Sequence, residues 1–177
     1  AKFDLGLFEN DRIANKSLVK IGTPEHRQIA LRAAEEGLVL LKNTGTLPLK
    51  DTKYSKIAVI GPNADDHLAQ VGDWSLGSAQ GMPGTHPRNL TVTILDGIRN
   101  RFEPKGTVIY AKGAGIEPNE HEDLQAAIDA VNSADIAVLV IGDREIYTGE
   151  GKSTATLELM GEQKALVEAV IATGKPF

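Results

Sequence analysis

Apolar positions along this chain follow two patterns, short continuous runs and longer stretches with a helical period. Lys56-Ile57-Ala58-Val59-Ile60 and the run Ile136 to Ile141 are nearly unbroken aliphatic segments rich in β-branched residues, as expected of strands covered on both faces. Thr107 to Tyr110 predicts a shorter strand. Helical spacing recurs over Thr91–Phe102 (Ile94, Leu95, Ile98), Glu120–Ala134 (Leu124, Ala127, Ile128, Val131) and Gly161–Thr173 (Leu166, Val167, Val170, Ile171). An earlier helix is signalled by Thr23-Pro24-Glu25, a capping oxygen followed by proline and an acid in the first turn. It carries Ile29, Ala30, Ala33 and Ala34 and stops near Gly37. The apolar run Leu38 to Leu41 then predicts an edge strand or a buried connector. Strands alternating with helices over short links predict an α/β fold: a mostly parallel, doubly wound sheet flanked by helices, an α/β sandwich.

Two stretches break this alternation. Residues 1–22 show no sustained period and are expected to be a linker, leaving 23–177 as the domain. Asp65 to Asn89 is rich in glycine and proline, and an irregular stretch of that length inside a compact domain is more often functional than idle. Ala172-Thr173-Gly174-Lys175-Pro176-Phe177 has the form of a helix stop followed by the start of another strand. The chain begins at Ala1 without a secretory signal pattern. Both ends are therefore expected to be cut, with the domain truncated at its C-terminal end.

Composition narrows the chemistry. The 177 residues, 41% of them hydrophobic and 24% charged, suffice for one domain with a real core. A net charge of −5 argues against a nucleic-acid partner, and no apolar run approaches bilayer length. With no cysteine there is no disulfide, thiolate metal site or cysteine nucleophile. His26, His67, His86 and His121 share no ligand-type spacing, so neither metal nor cofactor is expected.

Chemistry concentrates where strands end. The segment from Gly142 to Ser153 follows a buried strand and carries three acids, two bases and three glycines. In an open α/β sheet, ligands bind beyond the carboxyl ends of the strands, which is where such a loop lies; a solvated surface loop is the plainer reading. A second loop runs on from Gly61 and holds Gly72-Asp73-Trp74-Ser75, with the only tryptophan. An indole covers an apolar sugar face and a neighbouring carboxylate accepts hydroxyl protons, which suits Asp73 and Trp74 to a sugar. The alternative for Trp74 is core filling.

The order of these motifs resembles glycoside hydrolase family 3, the β-glucosidase and β-xylosidase family. Lys2-Phe3-Asp4-Leu5-Gly6-Leu7-Phe8 is similar to the segment closing that family's catalytic barrel. Glu36 to Asn43 with Leu47-Pro48-Leu49 resembles the start of its second domain. Lys56 to Ala64, Gly72-Asp73-Trp74-Ser75, Gly149-Glu150-Gly151 before a strand-like Leu157-Glu158-Leu159, and Ala172 to Pro176 follow in the family's order. The resemblance implies a TIM barrel earlier in the chain bearing an aspartate nucleophile, with this domain leaning over it. Glu150 matches the acid/base glutamate, and a β-linked oligosaccharide or glycoside is the implied substrate. A periplasmic or secreted home is implied by the resemblance only. Where relatives often carry a second aromatic, this chain has Leu76-Gly77-Ser78.

The residues suit that role. A retaining glycosidase needs two carboxyl groups about 5–5.5 Å apart, one of which holds a proton near neutral pH through partial burial or a nearby negative charge. The glycines beside Glu150 allow close approach to a ligand, and Lys152 is expected to point away. Glu145 is the rival carboxylate. Holding at most one of the two carboxylates, the chain alone is expected to be inactive. The competing readings are a nucleotide-binding doubly wound module, suggested by Ile60-Gly61 and Lys112-Gly113-Ala114-Gly115, and a non-catalytic carbohydrate-binding module. Neither glycine pattern completes a G-x-G-x-x-G turn into a helix, and there is no P-loop.

Overall fold

The computed structural model describes residues 1–9, 16–50, 53–72, 74–75 and 88–177, which fall into two compact units, Ala1–Asn43 and Thr44–Phe177. Helix α1 (Pro24–Gly37) belongs to the first. The Thr23 hydroxyl accepts from the His26 amide at 3.3 Å, and Pro24 occupies the first turn, as its sequence requires. No residue of α1 is buried among the described residues, and Ile29 is 67% exposed. Leu38 to Leu41 joins no strand of the sheet and is exposed. The expectation of an edge strand or a buried connector there is corrected: apolar character alone cannot say what covers a segment.

The second unit is built on three parallel strands: β1 (Lys56–Ile60), β2 (Thr107–Ala111) and β3 (Ile136–Leu139), in the order β2-β1-β3. Ile57 pairs with Val108 on one side and with Ile136 on the other; Ile60 pairs with Ala111 and Leu139. The central strand is covered on both faces, with Ile57 through Ile60 at 2% exposure or less. Ala58 and Ile60 face α4 (Leu124–Ser133) and α5 (Gln163–Ala172) through Ala127, Val131, Leu166 and Val170. Ile57 and Val59 face the other way, toward Leu95 and Phe102 of α3 (Ile94–Phe102). This is the doubly wound α/β arrangement that the continuous apolar runs predict.

Local chemistry sets the element boundaries. Thr93 and Asp96 form a reciprocal capping box at the start of α3. Helix α4 starts at Leu124, with Asp123 as its cap, rather than at Glu120, because Glu120 is engaged in the preceding loop, where its carboxylate accepts from the Ile116 and Glu117 amides. The stretch expected to be irregular from Asp65 opens instead with the short helix α2 (His67–Val71), whose first amides bond to the Asp66 carboxylate at 3.0 Å. Leu157-Glu158-Leu159 is a bend rather than strand-like, and Leu157 is fully exposed. At the amino edge of the sheet, Asp135 accepts from the Ser55 amide and hydroxyl and the Lys56 amide at 2.7–2.9 Å, locking the starts of β1 and β3 together. Beside β3, the Ala137 amide donates to the Pro176 carbonyl at 3.0 Å. Among the described residues no helix is long and apolar enough to cross a membrane.

Leu166 is fully buried between α5 and the sheet. Leu166→Ala is expected to lower unfolding free energy by about 2–5 kcal/mol, read as a lower urea midpoint at an unchanged m-value.

Candidate active site

Strand order determines where a site can form. β1 and β3 are neighbours, but the chain leaves β1 toward the face of α3 and leaves β3 toward the face of α5. Connections that diverge from adjacent parallel strands open a crevice at their carboxyl ends. The loop after β1 carries Trp74 and the loop after β3 carries Glu150. A cavity of about 250 Å³ lies at this edge, lined by Pro62, Asp65, Asp66, Tyr110, Lys112 and Arg144 among others. A larger cavity of about 790 Å³ lies at the opposite, amino edge beside Ser55, Lys105 and Asp135. Ligand crevices in such sheets form at the carboxyl edge, and the Asp135 carboxylate is already occupied in joining β1 to β3, so the smaller cavity is the candidate.

An ion network holds the carboxyl edge together. Arg144, just beyond β3, donates through Nε to Asp66 at 3.0 Å, and through Nη1 to Glu117 at 3.1 Å and Glu120 at 2.9 Å. Asp66 follows β1, and the two glutamates lie between β2 and α4, so one guanidinium joins the loops of all three strands. Lys112 adds a contact of 2.7 Å to Glu122 and one of 4.0 Å to Glu120. Arg144 is 20% exposed and Asp66 14%. The pairs therefore lie between a surface bridge, worth about 0–1 kcal/mol, and a buried one, whose rupture costs about 3–5 kcal/mol. Burial works against charge on both Arg144 and Glu120. The carboxylates facing Arg144 nevertheless raise its pKa, and the Ile116 and Glu117 amides with Arg144 hold Glu120 at about 2. Farther along the loop after β1, Arg88 bridges Asp65 at 2.6 Å and Asp96 at 2.7 Å, and the Thr93 hydroxyl donates to Asp65 at 2.9 Å.

The loop holding Glu150 is closed at several levels. The buried Gln163 side chain exchanges hydrogen bonds with the Gly142 amide (2.9 Å) and carbonyl (3.1 Å) and also donates to the Met160 carbonyl. The Tyr147 amide donates to the Arg144 carbonyl at 3.0 Å, and the Lys152 ammonium donates to the Glu145 carbonyl. Glu150 is exposed, between Gly149 at φ 109° and Gly151 at φ 76°, backbone angles that other residues adopt only with strain. Glu145 is partly buried, and its Oε2 has no hydrogen-bond partner among the described residues; the same holds for Asn63 Oδ1. Trp74 is 70% exposed at φ 63° and fills no core position among the described residues. Asp73 and Leu76-Gly77-Ser78 lie outside the described residues. Among those described, no group of three or more acidic or histidine side chains is arranged to hold a metal ion.

Reading the sequence missed Arg144, Asp66, Lys112 and Glu120. The available signal was positional: each lies just past a strand end or in the loop that follows one. The glycines of Lys112-Gly113-Ala114-Gly115 have a packing explanation. A Cβ on Gly115 would come within 2.1 Å of the Glu120 carbonyl oxygen, and one on Gly113 within 2.5 Å of Ala127 Cβ. No helix starts there to cradle a phosphate, since α4 begins at Leu124.

An open parallel sheet covered by helices on both faces, with a crevice between diverging loops, defines a doubly wound α/β domain. The chain belongs to glycoside hydrolase family 3: the model of the glycosyl hydrolase family 3 C-terminal domain matches residues 38–177. It is 39% identical to a β-xylosidase of Formosa agariphila, over 99% of this chain and 24% of the relative. It is 33% identical to a periplasmic β-glucosidase of Salmonella typhimurium, over 99% of the chain and 25% of the relative. Among solved structures, a β-glucosidase involved in saponin metabolism from intestinal bacteria superposes with a TM-score of 0.86 at 36% identity, over 98% of this chain and 26% of that one. A β-glucosidase from Listeria innocua in complex with glucose gives a TM-score of 0.76 at 31% identity, over 99% of this chain and 22% of that one. The chain thus spans about a quarter of the length of these relatives.

The pKa of Glu120 yields a pH expectation. Its folded-state value, about 2, lies below the ordinary 4.5, so the ionised group stabilises the fold above about pH 4.5. That contribution is lost as pH falls from there through about 2. Denaturant unfolding across this window should show wild-type stability falling more steeply than that of Glu120→Gln; parallel slopes would contradict the assignment.

Proposed function

We propose that this chain is the domain that supplies the acid/base glutamate to an exo-acting, retaining β-glycosidase. In this reading Glu150 is that glutamate, and Asp73 and Trp74 contribute to the sugar site. A TIM barrel preceding this domain carries the aspartate nucleophile, and residues 1–22 are the linker from it. The reading is carried by one observation: the family match extends through a glycine-flanked glutamate in the loop after β3, at the carboxyl edge where open sheets bind ligands. Its relatives span about four times this length, consistent with a partner domain bearing the second carboxylate.

The chemistry divides between the two carboxyl groups. The nucleophile attacks the anomeric carbon while Glu150 protonates the departing oxygen; Glu150 then takes a proton from the water that releases the sugar. Exposure of Glu150 suits a group that meets its partner only when a second domain covers it. Terminal β-linked glucose is the proposed sugar, in keeping with the β-glucosidases among the structural relatives. Xylose is the second reading, favoured by the 39% identical β-xylosidase. The periplasmic relative favours a periplasmic or secreted home.

In the complete enzyme Glu150→Ala is expected to slow glycosides with poor leaving groups by about 10²–10⁴-fold. Activated aryl glycosides, which need no protonation, should keep a fast first step, stall at the glycosyl-enzyme and regain turnover with azide. Glu145→Ala should do none of this, and the opposite result would move the role to Glu145. Trp74→Ala should raise KM about two- to tenfold, the scale of an aromatic contact, with unfolding changed by less than about 0.5 kcal/mol.

A further inference from the structure

We propose that Arg144 is the positioning residue of the acid/base loop: by pairing with Asp66, Glu117 and Glu120 it fixes where Glu150 stands relative to the crevice. The inference rests on the reading of Glu150 given above and concerns how that carboxylate is held. The flanking backbone contributes one turn across it, the Lys152 amide donating to the Gly149 carbonyl at 3.3 Å. Glu150 lies between glycines at φ 109° and 76°, is exposed, and belongs to a loop without helix or strand from Val140 to Glu162. A carboxyl acting as general acid must meet the leaving oxygen at hydrogen-bond distance, and misplacement of about 1 Å can cost about 10²-fold.

The geometry points to Arg144 as the fixed point. Its guanidinium makes three ion pairs at 2.9–3.1 Å, one to the loop after β1 and two to the loop after β2. Its own carbonyl accepts from the Tyr147 amide, starting the turn that leads to Glu150. The following residue, Glu145, takes the Lys152 ammonium on its carbonyl, so the segment 145–152 is closed into a ring with Glu150 in it. The route from fixed sheet to acid/base carboxyl is therefore short: β3, the Arg144 anchor, then the ring. A planar fork with several donors suits this task because it can satisfy three carboxylates at once, which an ammonium cannot do with the same geometry. The Arg144–Asp66 pair lies mostly out of water and so is screened less than a surface bridge is.

The test uses the full-length enzyme with a methyl and a dinitrophenyl β-glycoside of the sugar it hydrolyses, alongside Glu150→Ala. Arg144→Met is expected to lower kcat on the methyl glycoside about 10- to 100-fold, with KM within about threefold and kcat/KM on the dinitrophenyl glycoside within about threefold. Arg144→Lys should fall between it and wild type. Asp66→Asn keeps the Oδ1 acceptor that caps α2 while removing the charge facing Arg144. It should show the same leaving-group-selective loss, smaller in size, and it decides the matter if Arg144→Met does not fold. Equal losses on both substrates, or no loss in either variant, overturn the proposal. If Glu150→Ala is leaving-group dependent and the Arg144 and Asp66 variants are not, only this inference falls. If Glu150→Ala shows no such dependence, the reading of Glu150 falls and this inference falls with it.

Discussion

The whole C-terminal unit depends on one strand being paired on both edges and buried on both faces. β1 hydrogen-bonds to β2 and β3, and its residues Ile57 to Ile60 alternate between two cores that share no helix. A strand in that position leaves nothing to solvent except its ends. The chain must enter at the amino edge, where Asp135 joins β1 to β3, and leave at the carboxyl edge. Because helices occupy both faces, the connections from β1 and β3 have to part, and the crevice is a consequence of that covering.

Parting loops leave a gap, and polar groups fill it. At the carboxyl edge the backbone ladder has ended, so side chains supply the remaining cross-links: Arg144 to three carboxylates, Lys112 to Glu122, Gln163 to Gly142. The acids outnumber the bases among these partners, and backbone amides make up part of the difference at Glu120. The result is an edge that is cross-linked at its base and open at its tip, where Trp74 and Glu150 are exposed.

Much of this was legible before the fold was seen, for a physical reason. A strand buried on both faces must be apolar at every position, so Lys56–Ile60 and the run from Ile136 announce themselves, and helices packed on one face must repeat their apolar residues at helical spacing, as α3, α4 and α5 do. Leu38–Leu41 and α1 show the limit of that logic: they carry the same apolar signal as core segments and are exposed among the described residues. Glu145 shows a second limit. It and Glu150 are both carboxylates in one polar loop, yet Glu145 has a buried oxygen with no partner among the described residues and Glu150 is exposed.

By itself, then, the sequence determined the class of fold, the three strands of the sheet with helices α1, α3, α4 and α5, the family, and the two loops in which chemistry would be sought. These follow from local periodicity and from motifs contiguous in the chain. Tertiary structure decided the strand order, the divergence of the β1 and β3 connections, and the meeting of Asp66, Glu117, Glu120 and Arg144. Asp66 and Arg144 are 78 residues apart, and no local pattern joins them. Their contact exists because parallel pairing brings the carboxyl ends of β1 and β3 side by side, which only the assembled sheet can do.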